Sequence, residues 1–360
     1  MQRIRSLAVA AFASLVLAAC GGGDGDQSPR VKYSKLVVFG DSLSDVGTYA
    51  TPGVVASGGG KYTVNSATAK IWVELLAAQA GVAAPCAAQT GLESSGPLAG
   101  LAAPVTNVAG CFNYAQGGSR VTNPVGPANK ALLALGNTDG YLGQLTDPLI
   151  NQFQRHLAAS GGSFAGDELV TVLAGGNDVF LNLATLSASV AAGQDPTVAG
   201  TAAVTAMGVA GGELAAYIKN LVVGKGAKYV VVVALPDISQ TPFGLSLDAA
   251  TRGLVQQMVV TFNAQVSAGL SGTAGILQVD AYAQGQDQTA HPDQYSVTNA
   301  TTPACDPAKD PLGSLACSAA TVIAGDVSHY QYADDVHPTP WGYSLLARFV
   351  AKRMLDNGWL

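Results

Sequence analysis

At 360 residues the chain is long enough for one large domain or two modest ones. A hydrophobic share of 48% with only 12% charged residues excludes a disordered chain and predicts a well-buried globular one. With 24 acidic against 18 basic side chains its formal net charge is −6, which argues against nucleic acid as a partner.

The N-terminus reads as an address, not as structure. Arg3 and Arg5 form a positive n-region, and Leu7 to Leu17 an apolar run too short to span a bilayer comfortably, so residues 1–19 are expected to be a signal peptide. Leu17-Ala18-Ala19-Cys20 resembles a bacterial lipobox, in which the cysteine is lipidated before cleavage ahead of it. Residues 20–34, beginning Gly21-Gly22-Gly23-Asp24-Gly25-Asp26-Gln27-Ser28-Pro29, then read as a flexible tether. Gly21 stands where inner-membrane retention would want an aspartate, so the resemblance implies an outer-membrane lipoprotein, at the periplasmic face or the cell surface, held through Cys20. Loss of Arg3 and Arg5 takes the 18 basic residues to 16 against 24 acidic, a net charge of −8.

Lys35 to Phe39 is apolar beyond its first residue and too short for a helix, and reads as a buried strand that stops at Gly40-Asp41. Ser42 follows at once, where a small hydroxyl can leave the sheet and backbone N–H groups lack helical partners. Ala50 to Val64 reads as loop, Ala67 to Ala80 as an amphipathic helix ended by Gly81, and residues 82–110 as an Ala/Gly/Pro-rich insertion. Cys111 to Ala115 reads as a short strand ending in Gln116-Gly117-Gly118-Ser119, and Gly143 to Ser160 as a helix. Glu168 to Ala174 is a strand ending in Gly175-Gly176-Asn177-Asp178, followed by two helices over 178–221 broken near Gly193–Pro196. Lys228 to Leu235 is the most apolar strand; Leu247 to Leu270 is a helix and Gly275 to Asp280 a strand. Residues 285–328 read as irregular, and the chain closes on Asp334-Asp335-Val336-His337-Pro338 and a helix over 339–355.

Apolar strands alternating with helices predict a mainly parallel sheet covered on both faces, an α/β three-layer α/β/α sandwich. Residues 35–360 are expected to form a single domain with loop insertions at about 82–110 and 285–328. In such folds the site lies at the carboxyl ends of the strands, where the candidate residues fall. With Cys20 assigned to lipid, Cys86, Cys111, Cys305 and Cys317 remain, an even number that in an exported chain implies two disulfides in one of three connectivities. Cys86–Cys111 and Cys305–Cys317 are the local choices; no CxxC pair or interleaved histidine supports a metal site.

Four short blocks stand in an order that resembles the GDSL, or SGNH, family of serine esterases and lipases. Phe39-Gly40-Asp41-Ser42-Leu43 resembles the first, Asn113-Tyr114-Ala115-Gln116-Gly117-Gly118 the second, Gly175-Gly176-Asn177-Asp178 the third, and Asp334-Asp335-Val336-His337 the Asp-x-x-His pair of the last. Leu235 to Pro242 also looks like the subgroup of secreted bacterial lipases and phospholipid acyltransferases. The resemblance implies the SGNH-hydrolase, flavodoxin-like fold and an acyl-serine mechanism without cofactor. A serine hydroxyl needs a neighbouring base, so Ser42 is the expected nucleophile and His337 its base. Asp334 would orient the imidazole, with Asp335 an adjacent rival that the family spacing disfavours. The oxyanion would meet the Ser42 N–H, the Gly118 N–H and the Asn177 amide, with Gly117 able to replace Gly118. His156, His291 and His329 are expected to be surface or structural residues, and no Gly-x-Ser-x-Gly elbow is present.

The expected function is ester hydrolysis by a monomer whose partners are an ester or lipid substrate and the membrane that holds its anchor. Acyl transfer from phospholipid to an alcohol, carbohydrate O-deacetylation and an inactive surface-binding lipoprotein are the alternatives. Inserts at 48–66, 82–110 and 285–328, rich in Ala, Val, Leu and Pro, are expected to build an aliphatic trough beside the strand ends.

Overall fold

The computed structural model describes residues 31–310 and 312–360, so Arg3, Arg5, the apolar run 7–17 and Cys20 lie outside the described residues. The strands are β1 (Leu36–Gly40), β2 (Gln89–Leu92), β3 (Ala103–Asn107), β4 (Leu169–Leu173), β5 (Tyr229–Val233) and β6 (Ile276–Val279). The helices are α1 (Pro52–Ala56), α2 (Trp72–Gln79), α3 (Leu149–Ala159), α4 (Gly176–Ala191), α5 (Pro196–Tyr217), α6 (Pro242–Ser246), α7 (Ala249–Leu270), α8 (Ala281–Ala290) and α9 (Pro340–Asp356).

β1, β4, β5 and β6 pair in that order, all parallel. Because side chains alternate across a pleat, each strand feeds two cores. Val37, Phe39, Val170, Val172, Val230 and Val232 pack against Phe153, Met207, Met258 and Phe262 from α3, α5 and α7. Leu36, Val38, Leu169, Leu173, Val231 and Val233 pack against Trp72, Leu76, Tyr343 and Val350 from α2 and α9. Strands apolar on both faces thus sit between two helical layers, the expected three-layer sandwich. At the outer edge of β1, Val38 N–H donates to Phe112 O (2.9 Å) and Tyr114 N–H to Val38 O (2.8 Å). The strand expected at 111–115 is there reduced to isolated bridges, Asn113 pairing with Val38 and with Ala87.

Several expected boundaries move, each for a local reason. The tether expected to run to residue 34 ends sooner, since Tyr33 is buried and its hydroxyl donates to Trp359 O at 2.9 Å. The helix expected from 67 starts at Trp72, where Glu74 Oε2 accepts the Ile71 N–H (2.9 Å) and closes the first turn. The helix expected from 143 starts after Pro148, behind a left-handed Gly143 (φ 67°). Thr51 caps α1 in a stretch expected to be loop, and α8 runs to Ala290, six residues into a segment expected to be irregular. The insertion at 82–110 carries the antiparallel β2–β3 hairpin. Cys86 is bonded to Cys111 and Cys305 to Cys317, with Cα separations of 5.0 and 5.9 Å.

His156 on α3 is fully buried beneath β1, and neither ring nitrogen has a hydrogen-bond partner. Its ring lies 4.4 Å from Phe164 and edge-on to Tyr114 at 5.4 Å and Phe39 at 5.7 Å. Burial pushes its pKa down to about 4; Glu168 opposes the shift and Lys35 reinforces it. The folded value lies below the ordinary one, so the unfolded chain binds the extra proton as pH falls from about 6.5 towards 4, and stability is lost across that window. The loss is about 3 kcal/mol once pH is below both values. His156→Phe should remove this component, so its melting temperature should fall less than that of the wild type between pH 7 and pH 4. Parallel declines in the two proteins would contradict a buried neutral histidine.

Candidate active site

β1 delivers Ser42 because its last residue has no side chain. A Cβ on Gly40 would lie 2.4 Å from Leu173 O on β4, so only glycine permits this approach. Gln152 of α3, fully buried, then clips the strand end: its Oε1 accepts Gly40 N–H (2.9 Å) and its Nε2 donates to Gly40 O (2.8 Å). Past that clip the chain turns, the Asp41 carboxylate accepting Leu43 N–H at 3.0 Å, and Ser42 faces a cleft with 8% of its surface exposed.

His337 comes from 295 residues further along, on the loop ahead of α9, and its Nε2 lies 2.8 Å from Ser42 Oγ. Its Nδ1 lies 2.8 Å from Asp334 Oδ2 and 2.9 Å from Oδ1. The Asp334 Oδ1 also accepts the Val336 N–H (2.9 Å) and the His337 N–H (2.7 Å). Burial pushes the Asp334 carboxyl up, but the His337 charge and the hydrogen bonds from His337 and Ser314 outweigh it and hold it well below the usual carboxylate range. Asp335 is exposed and its side chain takes no part: its carbonyl accepts the Phe243 N–H instead (2.9 Å).

Three donors surround the outer side of Ser42. Its own N–H and that of Gly118 have no partner among the described residues. The Gly117 N–H is engaged by Asp45 Oδ2 at 3.0 Å, which separates the two glycines that sequence left open. Gly118 adopts φ 80°, and a Cβ there would meet Thr146 Cγ2 at 2.5 Å. Asp45 also accepts the Gly47 and Thr48 N–H groups at 2.9 and 2.7 Å, so one buried carboxylate ties the nucleophile turn to the glycine turn. Asn177, in the first turn of α4 and 7% exposed, donates one amide proton to Ser119 O at 2.9 Å and keeps the other. Its neighbour Asp178 accepts from Arg120 Nε and Val121 N, each at 3.0 Å, and pins the 119–121 segment to the same helix start.

Ser42, Gly118, Asn177 and His337 line one cavity of about 300 Å³. Its apolar wall includes Leu43, Phe180, Leu235, Ile238, Val336 and Leu346. No Lys or Arg lines it among the described residues. Of the inserts expected to form this wall, 82–110 adds nothing, 48–66 adds only Tyr62, and 285–328 only Gly285 and Gln288. The 82–110 segment is instead spent on the hairpin, so the trough belongs to the strand-end loops and to α4 and α9. His291 meets Asp287 (2.9 Å), and His329 stacks on Trp341 (4.2 Å between ring centroids); neither joins Ser42.

Sequence reasoning missed four residues here. Asp45 lies two residues beyond the first motif block and was readable as a second turn acid. Gln152, Tyr62, whose ring lies 4.9 Å from that of His337, and Ser314 belong to no motif and carry no sequence signal.

The assembly can do acyl transfer: an activated hydroxyl, a base held by a carboxylate, and N–H donors facing one apolar cleft. No curated protein sequence matches the chain. Among solved structures it is similar to LAE5, described as an alpha/beta hydrolase enzyme from the metagenome of Lake Arreo, Spain, at 14% identity and a TM-score of 0.41, covering 90% of this chain and 95% of that one. It is likewise similar to the lipase/acylhydrolase from Enterococcus faecalis, at 15% identity and a TM-score of 0.36, covering 90% and 96%. The sequence profile of the GDSL-like Lipase/Acylhydrolase family matches residues 36–350, nearly all of the described chain, so the protein belongs to that family and is an ester hydrolase.

Proposed function

We propose that the protein cleaves acyl esters through an acyl-Ser42 intermediate, with His337 as base and then acid and Asp334 as its orienting carboxylate. The observation that carries this reading is the unbroken contact from Asp334 through His337 to Ser42, with 2.8 Å at each step. Ser42 Oγ attacks the ester carbonyl carbon as His337 Nε2 takes its proton. The resulting imidazolium is held by Asp334, whose lowered pKa keeps it ionised at neutral pH. The oxyanion is met by the N–H groups of Ser42 and Gly118 and the free Asn177 amide proton. Collapse expels the alcohol, protonated by His337, and a water activated by the same histidine then releases the acid. Acyl transfer to an alcohol would differ only in what attacks the acyl-serine, and product analysis with added alcohol separates the two.

Hydrolysis of a p-nitrophenyl ester by Ser42→Ala or His337→Ala should fall by about 10⁶-fold, by Asp334→Asn about 10⁴-fold, and by Asn177→Ala about 10²- to 10³-fold. Undiminished turnover in Ser42→Ala would remove the reading.

The substrate proposal is an uncharged ester with an acyl chain longer than acetyl. Leu235, Ile238, Phe180 and Leu346 supply an aliphatic and aromatic wall, and among the described residues no cation lines it to hold an anionic group. Each methylene buried there is worth about 0.8 kcal/mol, roughly fourfold in kcat/KM. Efficiency should therefore rise from acetyl through butyryl to octanoyl esters. Highest efficiency on acetyl esters, with acetylated polysaccharide turned over well, would instead favour a carbohydrate deacetylase.

Location is proposed from the sequence alone: a lipid on Cys20 holding the domain at the outer membrane. Thirteen positions separate Cys20 from Tyr33, the first packed aromatic residue, so a fully extended tether reaches about 40 Å, enough to clear the headgroups. Cys20→Ser should move the protein from the membrane to the soluble fraction. Retention on membranes after a salt wash would mean that another attachment exists.

A further inference from the structure

Asp334 and His337 stand on a loop that no sheet strand supports among the described residues; residues 304–305 and 313–317 grip it from two sides. On one flank, Ala304 N–H donates to Tyr332 O at 2.9 Å and Cys305 N–H to Ala333 O at 2.8 Å. On the other flank, Ser314 N–H donates to Asp334 Oδ2 at 3.1 Å, the oxygen that also lies 2.8 Å from His337 Nδ1. The Cys305–Cys317 bond joins the two flanks, and Cys305, Ser314, Leu315, Ala316 and Cys317 are all buried. Gly313 permits the approach, since it adopts φ 59° and a Cβ there would lie 3.3 Å from Asp334 Oδ2. Asn65 fastens the far end: its Nδ2 donates to Ser314 O and Cys317 O at 3.0 Å each, and its N–H to Cys317 O at 2.7 Å. The backbone N–H is the Ser314 group that lies within hydrogen-bond geometry of Asp334 Oδ2.

We propose that Ser314 is a positioning residue for the catalytic carboxylate, and that the Cys305–Cys317 disulfide holds its N–H in place, so that turnover depends on this bond and not on Cys86–Cys111. The inference rests on the role given to Asp334 above. Val336 and His337 N–H groups fix Oδ1, and the Ser314 N–H is the backbone donor on Oδ2. Without it the carboxylate can turn about its Cβ–Cγ bond and cease to hold the imidazole with Nε2 aimed at Ser42. Ser314 does not line the cavity, so its loss should be felt in the chemical step and not in substrate binding.

The test compares the full chain with Cys305→Ala/Cys317→Ala and with Cys86→Ala/Cys111→Ala on p-nitrophenyl butyrate. Removal of one hydrogen bond to a charged acceptor should lower kcat of the first double variant about 10- to 100-fold, with KM and far-UV circular dichroism unchanged. Its low-field proton resonance from the His337 Nδ1–H bonded to Asp334 should broaden or vanish. The second double variant should keep wild-type kcat and that resonance. Should the first fail to fold, Asn65→Ala, which keeps both disulfides but removes the side-chain hydrogen bonds to Ser314 O and Cys317 O, should show the same fall in kcat at constant KM. Wild-type kcat in Cys305→Ala/Cys317→Ala or in a folded Asn65→Ala, or equal losses in the two disulfide variants, would overturn the proposal. An inactive wild-type chain would overturn the Ser42 reading itself, and this inference with it.

Discussion

The structure turns on the close contact at the end of β1, where Gly40 passes under Leu173 O and is clipped by Gln152. β1 is buried on both faces and cannot shift along its own axis without moving Val37 and Phe39 out of one core and Leu36 and Val38 out of the other. The Gln152 amide closes the last backbone donor and acceptor of the strand, so the chain can leave the sheet at Asp41 without an orphaned polar group. Ser42 is therefore placed by the core and not by its own loop. The same clip reaches the glycine turn, since Gln152 Nε2 also approaches Ser119 Oγ (3.2 Å) and Asp147 O (2.9 Å).

Around that fixed point the site is unusually rich in buried carboxylates, and their differing partners give them differing roles. Asp334 meets a histidine and backbone donors, which outweigh its burial. Asp45 and Asp178 are pushed up by burial, although Asp45 gathers three backbone N–H groups and Asp178 the Arg120 guanidinium and the Val121 N–H, and they act as knots between turns. The Asp41 carboxylate accepts the Leu43 N–H, and burial carries its pKa up to about 7, with Leu43 and His337 opposing and Asp178 reinforcing. A carboxyl raised by burial carries less negative charge beside the proposed oxyanion donors, a consequence of burial that the motif Gly40-Asp41-Ser42 does not reveal.

The sandwich was legible because β1, β4 and β5 are each short runs of Val, Leu and Phe apolar on both faces, a pattern that only a covered parallel sheet explains. The site was legible for a related reason: Ser42 and Asn177 directly follow such strands and Gly118 follows the segment beside β1, so a parallel sheet brings them to one end. What stayed hidden comes from loops. Ser314 approaches Asp334 because Gly59 and Leu315 pack so tightly that a Cβ on Gly59 would lie 2.1 Å from Leu315 O, and nothing in the spacing of those residues announces it. The lining of the trough was misassigned for the same reason. Aliphatic composition marks an insert as able to pack, but its course over the surface is set by contacts such as the β2–β3 pairing, which takes 82–110 away from the cleft.

The account stands or falls on where the acyl group goes. Acid quenching within the first turnovers of a slowly deacylated p-nitrophenyl ester, followed by intact mass and peptide mapping, reads this directly. The account predicts one acyl adduct per chain, carried on Ser42. An adduct on another residue such as Ser44 or Ser119, or turnover that never passes through a covalent species, would contradict it.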